Sequence, residues 1–326
     1  MSATQESGAG AVAGIAEFLE GLRLGLEAGL DPASAMARAA PALPEHLRDL
    51  SERLGEALEV LARRWRGEYR EDEWGFDEDF AEAAYPFFEL LYEHWFRVEA
   101  VGARNVPAHG RALVVANHAG SIFPFDAAMM TVALMKEHPL PRWPRFMLLD
   151  WAFELPFVSI AMRRVGAVPA DPRNAEALLS RDELVMAFPE GSKGPRKSFA
   201  ERYRLQRFGR GGFVEVALRT GSPIVPVAVV GAEEIYPKLG ELRPLARAVG
   251  APFIPVTPTF PWLGPLGLLP LPARWRIEFC RPLDLSGYTP ADADDRALVL
   301  DVTERVRDRI QEKIYENLIA RGSPFL

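Results

Sequence analysis

The chain of 326 residues holds one cysteine, Cys280, and five histidines. A single thiol forbids an intramolecular disulfide and a cysteine-based zinc site. Neither His-Glu-x-x-His nor Cys-x-x-Cys occurs, so no metal site is expected. No window reaches the roughly 18 uninterrupted apolar residues of a spanning helix. Any membrane contact is therefore expected to be peripheral. The first residues lack a basic start followed by an apolar run, which argues against a signal peptide. Together with the lone thiol, this suggests a cytoplasmic chain, with the inner face of the cell membrane as its place of peripheral contact. The absence of Gly-x-Ser-x-Gly sets aside a nucleophile-elbow hydrolase. Gly209-Arg210-Gly211-Gly212 is rich in glycine but lacks the dinucleotide fingerprint.

What is present is an ordinary globular composition, with 48% hydrophobic and 25% charged residues. That supports one large domain or two smaller ones. The net charge of -7 is unevenly spread. Residues 1–97 hold 20 acids against 9 bases. By contrast, residues 193–219 carry eight bases (Lys193, Arg196, Lys197, Arg202, Arg204, Arg207, Arg210 and Arg219) against Glu201 and Glu215. A basic field in an acidic chain points to an anionic substrate or an anionic lipid surface. A solvated helix face is the plainer alternative. Nucleic acid is disfavoured because few aromatic platforms interleave with these cations.

Residues 11–66 read as helices, from Ile15, Phe18, Leu19, Leu22 and Leu26 and again from Leu47, Leu50, Leu54, Leu58 and Leu61. Asp31-Pro32 has the form of an N-cap followed by proline in the first turn. Asp77 is placed to cap a further helix reaching about Phe96. Its aromatic face suits packing on the rest of the chain better than a membrane interface, because Glu78, Glu82, Glu89 and Glu93 would repel anionic lipid.

From about residue 98 short apolar strands alternate with helices. Strands are expected at 112–117, 145–149, 165–169, 184–188, 224–230 and 275–280. Helices are expected at 125–136, 152–163, 174–181, 209–220 and 292–320. The pattern is α/β: a mixed, largely parallel sheet flanked by helices, with an N-terminal helical extension. Residues 1–97 and 98–326 are the expected regions. The proline-rich stretch 250–272 is too apolar for an ordinary loop. It suits an acyl-chain tunnel, a bilayer contact or an extended segment packed on the core.

The chemistry concentrates where apolar strands end abruptly. Ala112 to Ala116 leads into Asn117-His118, and Asp126 follows. A neutral imidazole can take a proton from an attacking hydroxyl at neutral pH, and a carboxylate on its other nitrogen supports it. A helix running on from His118 would set Asp126 about 12 Å away along its axis, at about 1.5 Å per residue. Pro124 is welcome only in a first turn. The helix should therefore start near Pro124, leaving Asp126 free to fold back onto His118. Leu184 to Phe188 ends in the same way, in Pro189-Glu190-Gly191-Ser192-Lys193. Its turn amides and the cations Lys193, Arg196 and Lys197 suit an anion. Alternatively, Glu190 is a buried carboxylate bonding nearby backbone amides. With no evident covalent nucleophile, direct transfer of an activated acyl group to an acceptor hydroxyl is favoured.

Asn117-His118 with Asp126, then Phe188-Pro189-Glu190-Gly191-Ser192, then Ile224-Val225-Pro226-Val227-Ala228, resemble successive blocks of the glycerolipid acyltransferase superfamily, whose best-known members are the lysophosphatidic acid acyltransferases. The resemblance covers about residues 98–285 and is nearest the bacterial branch similar to monoacylglycerol and diacylglycerol acyltransferases. It implies His118 as general base and Asp126 as its orienting acid. It also implies acceptor contacts from Glu190 and Gly191, flanked by Asn117, Ser192 and Lys193, and a donor site shaped by Val225 and Pro226. Acyl-CoA or acyl carrier protein would be the co-substrate, with a lipid acceptor and no bound cofactor.

Three features depart from the usual blocks. Seven residues, rather than four, separate His118 from Asp126. Arg173 sits one place late to match the arginine that contacts a glycerol phosphate. Lys193 stands where an arginine is common. A neutral acceptor, such as monoacylglycerol, diacylglycerol or a long-chain alcohol, thereby joins the phosphate-bearing ones. Two rivals stay open: a lipid-binding protein without turnover, and an esterase using Ser121.

Overall fold

The computed structural model describes residues 3–43, 45, 48, 51–52, 55, 58–60, 63, 66, 71–119, 123–154, 158–248, 250 and 253–325. They fall into two compact units, Met1–Pro86 and Phe87–Leu326. The first contains helices α1 (Ala3–Glu27) and α2 (Pro32–Ala39). Asp31 caps α2 by accepting from the amides of Ala33 and Ser34, both at 3.1 Å, with Pro32 in the first turn as expected. The two helices approach closely. A Cβ on Gly25 would come within 2.9 Å of the Ala35 Cβ, so only glycine fits there without a shift. The helical reading of Leu47, Leu50, Leu54 and Leu61 lies outside the described residues.

Helix α3 (Glu78–Leu90) begins where Asp77 accepts from the Phe80 amide at 3.1 Å, and it continues as a π-turn through Leu91–Trp95. Phe96 is fully buried against Phe125 and Trp275, with ring centroids 5.5 and 4.9 Å away. The expected helical region 1–97 therefore extends past the first unit, because these aromatics pack in the second.

The second unit is built on seven strands: β1 (Glu99–Val101), β2 (Ala112–Ala116), β3 (Arg145–Leu148), β4 (Ala167–Pro169), β5 (Leu184–Ala187), β6 (Ile224–Val230) and, after the short pair β7 (Gly240–Glu241) and β8 (Pro255–Val256), β9 (Arg276–Phe279). The sheet order is β1-β9-β6-β2-β5-β3-β4. All its pairings are parallel except β6 with β9. The helices are α4 (Phe125–Glu137), α5 (Trp151–Glu154), α6 (Val158–Arg164), α7 (Pro172–Ser180), α8 (Gly212–Thr220), α9 (Arg243–Ala248) and α10 (Arg296–Arg321). This is the mixed, largely parallel α/β sheet expected from the sequence.

β2 lies in the middle of the sheet, and all five of its residues are buried. Its continuous apolar run suits a strand covered on both faces. Ala112 pairs with Leu184 and Leu113 with Ile224, so β2, β5 and β6 end side by side. Ligands of open α/β sheets bind at such carboxyl ends. The proline-rich stretch makes β8 and a 3-10 turn, Gly264–Leu268. It projects Trp262 at 75% exposure and Leu266 at 70%.

Candidate active site

His118 follows the last residue of β2 by two positions and is held at three points. Its Nδ1 lies 2.6 Å from Asp126 Oδ2. Its backbone amide donates to Glu190 Oε1 at 3.0 Å. Its ring packs on Phe188, with centroids 4.9 Å apart. The spacing of seven residues is absorbed as inferred from Pro124: α4 starts at Phe125, and Asp126 turns back from the first turn. Asp126 is fully buried and also accepts from the amides of Ala119 at 3.1 Å and Ala127 at 2.9 Å. Burial, the largest influence, pushes its carboxyl up. The His118 charge, its hydrogen bond and the two amides outweigh that and hold the carboxyl below its ordinary value.

Asn117 is committed to the fold. Its Nδ2 donates to the Val229 carbonyl at 2.8 Å, and its Oδ1 accepts from the Val229 amide at 2.7 Å. The side chain thus acts as an extra strand residue against β6 and fixes where β2 stops. Glu190 is buried, and its second oxygen accepts from the Gln206 amide at 2.7 Å. It is the buried, amide-bonding carboxylate that stood as the alternative. Gly194 completes the packing. A Cβ there would lie 2.4 Å from the His118 carbonyl, so the backbone behind the histidine can only be glycine. Nothing in the sequence marked Gly194, because no turn pattern surrounds it.

A cleft of about 240 Å³ opens beside the histidine. Its walls are largely apolar: Leu113, Met147, Leu148, Ala175, Phe188, Phe208, Phe213 and Val216 surround His118, Gly191, Asp171 and Arg210. Its lining draws on β2, β3, α7 and α8, and none of it comes from the proline-rich stretch. Of the readings given for that stretch, a lining for the acyl chain is not met in this cleft, and Trp262, Leu263, Leu266 and Leu269 are exposed.

The remaining predicted residues divide. Gly191 lines the cleft at φ +55°. Ser192 and Lys193 follow in the 3-10 turn Gly191–Lys193, with Lys193 exposed. Val225 and Pro226 are buried inside β6, paired with Val114 and Val115, away from the cleft lining. Arg173 stands 89% exposed and folds onto its own helix cap, Asp171, at 3.1 Å. Lys197, expected to face an anion, is internal. Its Nζ sits 2.6 Å from Glu233 and 3.5 Å from Glu190. Burial, the largest influence, lowers that ammonium's affinity for its proton, but the two carboxylates outweigh it and keep it charged. Ser121 lies outside the described residues. No group of three or more potential metal ligands occurs among the described residues.

Residues 97–230 match the acyltransferase family model. That span contains the His118–Asp126 pair and the Glu190 turn. The chain belongs to the glycerolipid acyltransferase superfamily. It is an acyltransferase. An uncharacterised protein of Mycobacterium tuberculosis (strain ATCC 25618 / H37Rv) is 46% identical over 278 residues, covering 85% of this chain and 77% of the relative. The chloroplastic 1-acyl-sn-glycerol-3-phosphate acyltransferase LPAT1 of Arabidopsis thaliana is 28% identical over 164 residues, 47% of this chain and 39% of the relative. The crystal structure of the 1-acyl-sn-glycerophosphate acyltransferase PlsC from Thermotoga maritima superposes with a TM-score of 0.50 at 18% identity, covering 85% of this chain and 99% of that one. At that identity the likeness speaks for the fold. The acyltransferase sheet thus presents a buried histidine–aspartate pair at the mouth of an apolar cleft.

Proposed function

We propose that the protein moves a fatty acyl group from acyl-CoA or acyl carrier protein to a lipid hydroxyl. The observation that carries this is the 2.6 Å contact between His118 Nδ1 and Asp126 Oδ2 at the edge of the apolar cleft. With Nδ1 engaged by the carboxylate, Nε2 is the nitrogen left to meet the acceptor. His118 takes the hydroxyl proton as the oxygen attacks the thioester carbonyl. The C–S bond breaks, and the thiolate leaves and collects the proton from the imidazolium. Asp126 keeps the ring oriented and stabilises that cation. The thioester is already activated, so the route needs neither a covalent enzyme intermediate nor a bound cofactor. The acyl chain lies in the cleft against Leu113, Phe213 and Val216.

The acceptor is a glycerolipid or another long-chain alcohol. A neutral acceptor is supported by Arg173, which points to its own cap and not into the cleft. The enzyme works from the cytoplasmic side and touches the membrane peripherally. Trp262, Leu263, Leu266 and Leu269 support this contact, since they expose large apolar side chains on one short turn. Among the described residues, no helix is long and apolar enough to cross a membrane.

The test is turnover of labelled acyl-CoA against a panel of lipid acceptors, run beside His118→Ala. Product is expected from the wild-type protein alone. Equal product from both would remove His118 from the mechanism, and a trapped acyl-serine at Ser121 would establish the esterase reading. Lipid binding without turnover in either protein would support the non-catalytic reading.

A further inference from the structure

Residues 203–206 belong to no strand or helix, yet side chains take up their backbone groups one after another. The Tyr203 amide donates to Glu233, and the Tyr203 carbonyl accepts from Gln311 Nε2 at 2.7 Å. The Arg204 carbonyl accepts from Lys197 at 3.3 Å. The Leu205 amide donates to Gln311 Oε1 at 2.9 Å, and the Leu205 carbonyl lies 3.5 Å from Arg307 Nη2. The Gln206 amide donates to Glu190 Oε2 at 2.7 Å. Connecting backbone ordinarily runs over the surface and leaves such groups to water. Here a frame of side chains replaces the water and holds Tyr203 at φ +68°, a left-handed conformation that a residue with a large side chain keeps only under constraint.

Gln311 contributes to this frame from a distance. It is half-buried on α10, one turn beyond Arg307, and stands 106 positions from Leu205 in sequence. No catalytic motif includes it. Its side-chain amide straddles Arg204, with the donor engaged on one side and the acceptor on the other, just as Asn117 clamps Val229. From there the route to the base is short. Gln206 follows Leu205, one oxygen of Glu190 holds the Gln206 amide, and the other holds the His118 amide at 3.0 Å. Lys197 closes the frame, 2.6 Å from Glu233 and 3.5 Å from Glu190. Leu205, Glu190, Lys197 and His118 are all buried, so water does not readily stand in for a lost link.

We propose that Gln311 is a positioning residue for His118: it fixes residues 203–206, they fix Glu190, and Glu190 fixes the backbone that carries the base. The inference rests on the reading of His118 as general base. Removing the side-chain amide strands the Leu205 N–H and the Tyr203 carbonyl together. The stretch then shifts to reach water and takes the Gln206 amide with it. A base displaced in this way loses rate rather than affinity for substrate.

The experiment sets Gln311→Met beside wild type, with Ile310→Val as the control. Ile310 is fully buried in the same helix, so its variant loosens the helix while leaving the side-chain bonds to residues 203–206 in place. Backbone hydrogen exchange is read first, without turnover and relative to the amides of β6. The Leu205, Gln206 and His118 amides should exchange about tenfold faster in Gln311→Met and at the wild-type rate in Ile310→Val. Arg307→Gln gives up only the longer contact and should shift the same amides less, which keeps the test available should Gln311→Met fold poorly. With labelled acyl-CoA, kcat of Gln311→Met should fall about tenfold. The KM for acyl-CoA should stay within about twofold of wild type, because Phe208 and Phe213 still pack together in the cleft wall. The pH profile of kcat should keep its shape, since the His118 ring keeps its contact with Asp126. Unchanged protection of the His118 amide in both Gln311→Met and Arg307→Gln overturns the proposal. So does an equal loss of rate in Ile310→Val, which would assign the effect to helix stability, and so does faster exchange with an undiminished kcat. Faster exchange at His118 in a protein whose wild type transfers no acyl group would leave the route from Gln311 to His118 standing and sink the general-base reading instead.

Discussion

Strands β2 and β5 run side by side to the same edge of the sheet, and they end differently. β2 delivers Asn117 and His118. β5 delivers Pro189 and Glu190. Two buried carboxylates reach the histidine, Asp126 from the first turn of α4 and Glu190 from the end of β5, and they touch different parts of it. Asp126 meets the ring at Nδ1, and Glu190 meets the backbone amide. The first can fix the ring's tautomer and the direction in which it points. The second can change only where it stands. Two residues of nearly the same chemistry are thus given a chemical and a positional task by which atom they reach.

If that division is right, the losses rank themselves. His118→Ala removes the base and should lower kcat by about a thousandfold with the circular dichroism spectrum intact. A variant that keeps half its rate would break the comparison at its root.

Asp126→Asn comes next. It retains the shape and removes the charge, so kcat should fall by about a hundredfold or more, with KM little changed. A second readout is stability against pH. The folded carboxyl is held below its ordinary value. Its contribution is therefore complete above the unfolded value, about 3.9, and is lost as pH falls from there through the folded value. Chemical denaturation between pH 3 and 7 should show wild type and variant separated at neutral pH and converging toward the acid end. Parallel curves would show that the charge of Asp126 does not stabilise the fold.

Much of this site could be read before the structure. The apolar run of β2 stops at a histidine, and Pro124 can only open a helix, so the turn of Asp126 back to His118 followed from backbone rules. The alternation of strands and helices gave the sheet its class. Other parts had no local signature. β1 has three residues, too few for a periodicity, and its place beside β9 depends on a strand about 175 positions away. Lys193 and Lys197 look alike in sequence, but one is exposed and the other is enclosed by Glu190 and Glu233. Pairing depends on which loops meet, and composition does not record that. For the same reason Glu190 fitted a substrate contact and a structural bond equally well until its neighbours were known.

Glu190→Gln tests the positional half. The amide presents one acceptor where two backbone N–H groups require two, and it leaves Lys197 with one carboxylate fewer. Stability should drop by about 1–3 kcal/mol in urea, and kcat by about tenfold, as for a displaced base. Here the separation between the two strand ends is sharpest. The pH dependence of the rate should keep its wild-type shape in Glu190→Gln and lose it in Asp126→Asn. A changed profile in both would give Glu190 a part in the proton transfer.

The smallest effect belongs to Arg173→Ala. Its guanidinium bonds Asp171 through Nε at 3.2 Å and Nη2 at 3.1 Å, and the Asp171 carboxylate in turn caps α7 through the Arg173 amide at 2.8 Å. The amide survives the substitution, so the cap survives with it. An exposed pair between near neighbours contributes little on its own. Rates with neutral and phosphate-bearing acceptors should both stay within about twofold of wild type, since Arg173 itself does not line the cleft and Asp171 stays tied to the helix by the Arg173 amide. A tenfold loss confined to phosphate-bearing acceptors would mean that the β4–α7 connection swings Arg173 over the cleft when substrate binds. The site would then be assembled from three strand ends rather than two.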